Sequence, residues 1–168
     1  DFIRENKVEE KGHSWGWRVQ SIFEHFCEKH LEQPTFIIDH PFETTPLCKA
    51  HRNGDKRLIE RFEPFCACVE LANAYSELND PVLQRELLEE QQKMLSAGNE
   101  EASPYDEDFV NAIETGLPPT GGLGIGIDRM IILLTGQESI RDIILFHFMK
   151  PEISELKNNE GKKEKKNG

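Results

Sequence analysis

Apolar residues recur at spacings of three and four early in the chain. Trp17, Ile22, Phe23, Phe26, Cys27 and Leu31 lie on one stripe, with His30 beside them. That period predicts an amphipathic helix over about 15–31. Pro34 ends it, because the residue before a proline is pushed away from helical angles. Phe36-Ile37-Ile38 is a short continuous apolar run and predicts a buried strand, closed by Asp39-His40-Pro41. Thr44-Thr45-Pro46-Leu47 has loop chemistry, and Asn53-Gly54-Asp55 is the clearest turn signal in the sequence. Residues 1–12 are charged and aperiodic, which predicts an arm or a frayed start.

From Leu58 to Leu78 helical spacing disappears, and strand-type and small residues predict an extended stretch. Pro64 within it calls for an edge, a bulge or a strand end. Cys66 and Cys68 alternate in this run and are expected on one strand face. Asn79-Asp80-Pro81 reads as a cap with proline at the first helical position, opening a helix that runs to about Ser96 and stops at Gly98. A second helix over about 106–115 buries Phe109, Val110 and Ile113 and ends at Gly116. Leu117-Pro118-Pro119-Thr120 leads into a glycine-rich strand and an apolar helix over about 127–135. Ile143-Ile144-Leu145-Phe146 predicts a last strand, and the charged tail 153–168 is expected to be disordered.

At 168 residues, 37% hydrophobic and 30% charged, the composition is that of a soluble globular domain or a large piece of one. No run approaches the ~18 apolar residues a membrane helix needs. The chain opens on Asp1 without a charged-then-apolar leader, so a processed protein or a fragment without a secretion signal is expected. Its four cysteines (Cys27, Cys48, Cys66, Cys68) form no disulfide-like framework, which predicts reduced thiols and a cytoplasmic location. The spacing of His40 and His51 matches no metal motif, and both are expected to be solvated or structural. Net charge is −11, a poor footprint for gripping a polyanion. The basic residues Lys157, Lys162, Lys163, Lys165 and Lys166 all lie in the tail, so the body is more acidic still.

Three groups of residues could carry chemistry. Glu63 and Glu70 flank an apolar strand stretch, where carboxylates need exposure or a cation. They read either as solvated glutamates or as a magnesium site shared with substrate phosphates. Asn73, Tyr75 and Glu77 alternate and would share one strand face, as a polar pocket with Glu77 toward a cation or as a half-exposed sheet. Gly122, Gly124 and Gly126 recur every second residue and leave one strand face bare, which often marks close approach of a ligand. Arg129 follows at a helix start, a permanent cation suited to phosphate oxygens. The dinucleotide GxGxxG pattern fails at Ile127, and no P-loop lysine is present.

Together and in order, these segments resemble class II lysyl-tRNA synthetases. The matching text is Gln33-Pro34-Thr35-Phe36-Ile37-Ile38-Asp39-His40-Pro41, Pro46-Leu47, Arg61-Phe62-Glu63, Glu70 to Pro81, Gly116 to Thr120 and Gly124 to Arg129. The resemblance covers about residues 13–152 and implies an α+β fold, an antiparallel sheet flanked by helices, incomplete in this chain. It implies a lysine–tRNA ligase using ATP, L-lysine and lysine tRNA, with magnesium, in a homodimeric parent. By resemblance Arg129 contacts the ATP γ-phosphate as the catalytic residue, and Gly124, Gly126, Ile127 and Asp128 border the nucleotide. Glu63 and Glu70 match the residues that hold magnesium on bent ATP, and Pro64 stands where the residue after the carboxylate borders adenosine. Asn73, Tyr75 and Glu77 match the lysine pocket.

The sequence departs from the family at Thr45 for serine, Gly121 for alanine, Pro64, and Phe146-His147-Phe148 for Phe-Pro-Ala. The family's first and second motifs and its anticodon-binding barrel are not found, so the chain alone is expected to be inactive or nearly so. A non-catalytic binding fragment and a paralogue that lysylates a protein are the alternatives.

Overall fold

In the computed structural model, which describes residues 2–98 and 102–146, the stretch after Leu58 folds back on itself. Strand β2 (Arg61–Cys66) reverses through Ala67 and Cys68, at φ 52° and 61°, into β3 (Val69–Glu70) and β4 (Ala72–Ser76). Two successive positive φ angles make a hairpin turn that glycine and asparagine usually supply. Here tertiary bonds hold it instead, because Ala67 N donates to Glu32 O and Cys68 N to Leu31 O, both at 2.9 Å. Cys68 therefore sits in the turn, and the expectation that Cys66 and Cys68 share a strand face is corrected. All four cysteines are free.

β1 (Thr35–Ile38) and β5 (Gly121–Ile125) complete an antiparallel sheet of order β1-β2-β4-β5, with β3 continuing against β2. Pro64 lies in an interior strand, at the gap between the pairing of β2 with β4 at Arg61 and Phe62 and its pairing with β3 at Phe65 and Cys66. Its carbonyl accepts from Leu71 N at 2.8 Å where that ladder kinks, so the missing N–H falls at an interruption, as a bulge would require. β1 is not the buried strand its apolar run suggested. It lies at the sheet edge, and Phe36 and Ile38 are 65% and 62% exposed, on the face away from the site described below.

Helix boundaries follow side-chain caps. α1 (Phe2–Glu5) is a single turn inside the segment expected to be an arm, and Val8 behind it is buried. α2 (Trp15–Phe26) starts where Ser14 Oγ accepts from Trp17 N, and it ends before the predicted Leu31 because the chain tightens into a 3-10 turn at Glu28–His30. α3 (Pro81–Ser96) is capped by Asp80, which accepts from Val82 N and Leu83 N at 3.0 and 3.2 Å. α4 (Glu107–Glu114) is capped by Asp106, and α5 (Ile127–Thr135) begins at Gly126. The chain after α5 makes a 3-10 turn at Ile140–Asp142 instead of the strand expected at Ile143–Phe146. Leu145 and Phe146 stand exposed with no strand beside them among the described residues. Of the tail expected to be disordered, all residues lie outside the described ones.

Ile59, Cys48, Leu88 and Val110 form the centre of the core. Gln84 is buried with them and donates through Nε2 to Pro46 O at 3.0 Å, joining α3 to the loop before Cys48. Among the described residues no helix is long and apolar enough to cross a membrane.

An ion pair at the sheet's end sets one pH response. Glu60 accepts from Arg52 Nε at 2.6 Å and from Ser76 Oγ at 2.7 Å, and these bonds, Arg52 first, hold its carboxyl down at about 2 against an ordinary 4.5. The folded chain thus refuses a proton that the unfolded chain accepts. This contribution is complete above about pH 4.5 and is lost as pH falls toward about 2. Glu60→Gln should lower stability at neutral pH by about 1 kcal/mol, a modest figure because Arg52 is largely solvated. Urea titrations should show the deficit shrinking on acidification through that window; equal midpoints at neutral pH would contradict the assignment.

Candidate active site

Pairing places the candidate polar groups on one face of the sheet. Asn73 lies opposite Gly124 and Tyr75 opposite Gly122, while Arg61 on β2 lies opposite Tyr75. Glu77 continues the alternation just past β4, and its backbone N–H donates to Thr120 O at 3.0 Å. A side chain at Gly122 would run into the Glu77 carboxylate, so the bare strand makes room for that acid. At Gly124 only the Asn73 carbonyl oxygen comes near, 3.8 Å from where a Cβ would stand, and the face above it is open. Burial raises the Glu77 carboxyl above its ordinary range, and burial followed by the charge of Glu77 raises the Tyr75 phenol.

Next to this row lies a cavity of about 320 Å³ between α2 and the sheet. Phe23 of α2 meets Phe65 of β2 edge-on, ring centroids 6.1 Å apart, and fixes the helix above the strand. Glu63 and Glu70 both line the cavity, together with Arg61, Thr44 and the α2-side acids Glu24 and Glu28. Glu63 is no surface glutamate: it is 5% exposed. Burial raises its carboxyl, the Arg61 charge opposes that, and the charge of Glu70 adds to it. Glu28 is raised likewise, by burial first and then by Glu24 and Glu70.

The two oxygens of Glu63 meet different partners. Oε1 accepts from Arg61 Nη2, and Oε2 lies 3.7 Å from His40 Nε2. His40 is buried, and its Nε2 has no hydrogen-bond partner. Burial first, then the charge of Arg61, pushes its imidazole down to about 4, so at neutral pH it is an uncharged neighbour of Glu63. His51 instead faces Asp39 Oδ1 at 3.0 Å. His40 is thus structural and not solvated.

Arg129, one turn into α5, reaches back to β3. Its Nη1 donates to the Glu70 carbonyl at 2.8 Å and lies 3.3 Å from Glu70 Oε2. Gly126 N donates to Leu71 O at 2.9 Å, which anchors the start of α5 beside the same strand. Ile127 and Asp128 stand at that helix start, with Ile127 60% exposed. Pro64 shares neither the cavity lining nor the polar row, since alternation turns it to the opposite face from Glu63.

Of the residues singled out in the sequence, the structure therefore brings Glu63 with Glu70, Glu70 with Arg129, and Asn73 and Tyr75 with Glu77 and the glycines. The sequence pattern assigns no site role to Arg61 or Thr44, and it predicts His40 only as a solvated or structural histidine. Arg61 had a signal, because it precedes Glu63 by two residues and must share its strand face. His40 and Thr44 had none, since only the folding of the 39–47 loop under the sheet brings them near. Among the described residues no group of three or more His, Cys, Asp or Glu could enclose a metal. Glu63, raised by burial and by the neighbouring charge of Glu70, is nevertheless an acid that a bound cation would relieve. Among the described residues the nearest group to its Oε2 recorded as an ion-pair partner is His40 Nε2 at 3.7 Å.

Comparison with known proteins places this chain in a family. The family described as tRNA synthetases class II (D, K and N) matches residues 7–150. A lysine–tRNA ligase of Saccharolobus solfataricus is 52% identical over 138 residues, covering 82% of this chain and 28% of the relative. That of Gloeobacter violaceus is 54% identical over 144 residues, 86% of this chain and 29% of the relative. That of Porphyromonas gingivalis is 55% identical over 137 residues, 82% of this chain and 24% of the relative. The chain thus spans less than a third of the length of these relatives.

The crowding at Gly122 generates a test within the fold. Gly122→Ala should push aside the Glu77 carboxylate, the flexible end of its side chain, so the cost in stability should stay under about 1 kcal/mol. Gly121→Ala, where nothing lies within 4 Å, should stay within about 0.5 kcal/mol of the parent sequence. Denaturant midpoints check both limits; a loss of several kcal/mol at Gly122 would mean that the Glu77 carboxylate is fixed where it stands.

Proposed function

This chain belongs to the class II tRNA synthetases (D, K and N), and on that premise we propose that its whole parent protein is a lysine–tRNA ligase. The observation that carries this reading is the single sheet face on which Asn73, Tyr75 and Glu77 lie against the bare strand Gly121–Ile125. A half-buried carboxylate with a raised proton affinity, on a strand face shared with an amide and a phenol, suits a substrate ammonium. The names of the relatives support the same substrate.

In the proposed reaction the lysine carboxylate oxygen forms a bond to the α-phosphorus of ATP. The bond from that phosphorus to the bridging oxygen breaks, and pyrophosphate leaves with its electron pair. A terminal ribose hydroxyl of tRNA then loses its proton and bonds to the lysyl carbonyl carbon, and AMP leaves with the electron pair of the broken C–O bond. No protein nucleophile is needed, so catalysis is placement and charge neutralisation. Arg129, already aimed at the edge of the cavity that Glu70 lines, would engage the γ-phosphate. Gly124 and the Gly126-Ile127-Asp128 backbone would border the nucleotide, with the open space above Gly124 admitting it. Glu63 and Glu70 would hold magnesium, which when bound supplies positive charge to the phosphates. Asn73 and Tyr75 would orient lysine, and Glu77 would pair its side-chain ammonium.

A neutral or shorter amino acid would leave Glu77 desolvated and unpaired. Breaking such a pair costs about 3–5 kcal/mol, enough to account for selection of lysine. The homodimer expected of the family and most of the grip on tRNA belong to the whole protein, in keeping with the acidic balance of this chain.

The whole parent protein should catalyse lysine-dependent exchange of pyrophosphate into ATP. Glu77→Gln should raise KM for lysine by about 100-fold or more while leaving KM for ATP within about threefold; equal losses would remove Glu77 from the lysine pocket. Lysine affinity should also fall on acidification through the raised carboxyl range of Glu77, since protonation removes the anion that the ammonium needs. The Gln variant should lack that fall; an identical pH profile in both proteins would assign it to another group.

A further inference from the structure

We propose that Arg61 is a positioning residue that couples the metal-and-ATP end of the site to the lysine end. This rests on the ligase reading above. The guanidinium makes three contacts at once: Nη2 to Glu63 Oε1, Nε to Asn73 Oδ1 at 3.1 Å, and Nη1 to Thr44 Oγ1 at 3.4 Å. Its side chain is 15% exposed, so these bonds are largely shielded from water. Glu63 belongs to the acidic pair facing the cavity, and Asn73 to the polar row facing Gly124. Arg61 is thus bonded to a member of each group.

The planar fork has two consequences. Holding Glu63 Oε1 leaves Oε2 as the oxygen turned away from the fork, with His40 Nε2 3.7 Å from it. Holding Asn73 Oδ1 fixes the amide so that its Nδ2 hydrogens are the ones left to donate. The amide therefore meets an acceptor on the ligand, such as a carboxylate oxygen, and not the ammonium. A lysine at residue 61 keeps the charge but cannot present several donors in one plane to both partners. Thr44, whose Oγ1 also donates to Pro41 O at 2.7 Å, ties the far side of the fork to the 41–44 loop.

The test uses the whole parent protein in pyrophosphate exchange. Arg61→Lys should raise both KM for lysine and the half-saturating magnesium concentration by about tenfold. In an Asn73→Ala background, Arg61→Lys should no longer change KM for lysine, because the amide through which it acts is gone. Thr44→Val, a mild change that leaves the fork in place, should shift the same two quantities in the same direction by a smaller factor. A change in only one of the two quantities, or an undiminished effect of Arg61→Lys without Asn73, would overturn the coupling. So would a lowered Tm with both quantities unchanged, which is what a purely structural arginine gives. An unmodified parent protein without lysine-dependent exchange would overturn the ligase reading and this inference with it; failure confined to the variants would overturn the inference alone.

Discussion

A carboxylate taken out of water on an antiparallel sheet must find a cation or give up its charge. Glu63 meets that constraint by sharing a strand face with Arg61, two residues earlier, and much of the site follows from that pair. To keep the guanidinium shielded, β4 must bring Asn73 within reach and the 41–44 loop must offer Thr44. The same arrangement places a buried imidazole beside the acid, with Arg61 helping to keep it neutral. Glu63, Arg61, Asn73 and Thr44 therefore form one connected network in which each member limits where the next can stand.

Around that network the backbone provides what side chains would obstruct. The strand from Gly121 to Ile125 runs beside β4 with no bulk on the polar face, and Glu77 occupies the room so created. Gly126 brings the start of α5 against Leu71, which aims Arg129 at Glu70 across β3. Each of the two glutamates that line the cavity thus has its own arginine, Arg61 for Glu63 and Arg129 for Glu70. The phosphate chemistry proposed above would need such local placement in a chain of net charge −11, because the overall field repels a polyanion.

The sheet's two faces have different fates. One carries α2 and the polar groups; the other presents Phe36, Ile38 and Leu123 outward from the edge strand β1 and from β5. An apolar run tells that a strand has a hydrophobic face. It does not tell whether anything lies over that face, which is why β1 reads as buried in the sequence and is exposed in the structure.

Local chemistry by itself determined the helix starts, because Ser14, Asp80 and Asp106 cap helices with bonds to residues two or three positions away. It also determined the bare glycine strand and the alternation of Asn73, Tyr75 and Glu77, since period two needs only an extended backbone. The order of these segments was enough for the family. Tertiary structure alone decided the turn at Ala67-Cys68, whose positive φ angles rest on carbonyls from the end of the α2 region and on no turn residue. It also decided the burial of His40 and the reach of Arg61 to Thr44, contacts between segments whose separation along the chain carries no periodic signal. Spacing along a chain records what one element does; the meeting of several elements depends on how their faces pack, and only the folded chain holds that information.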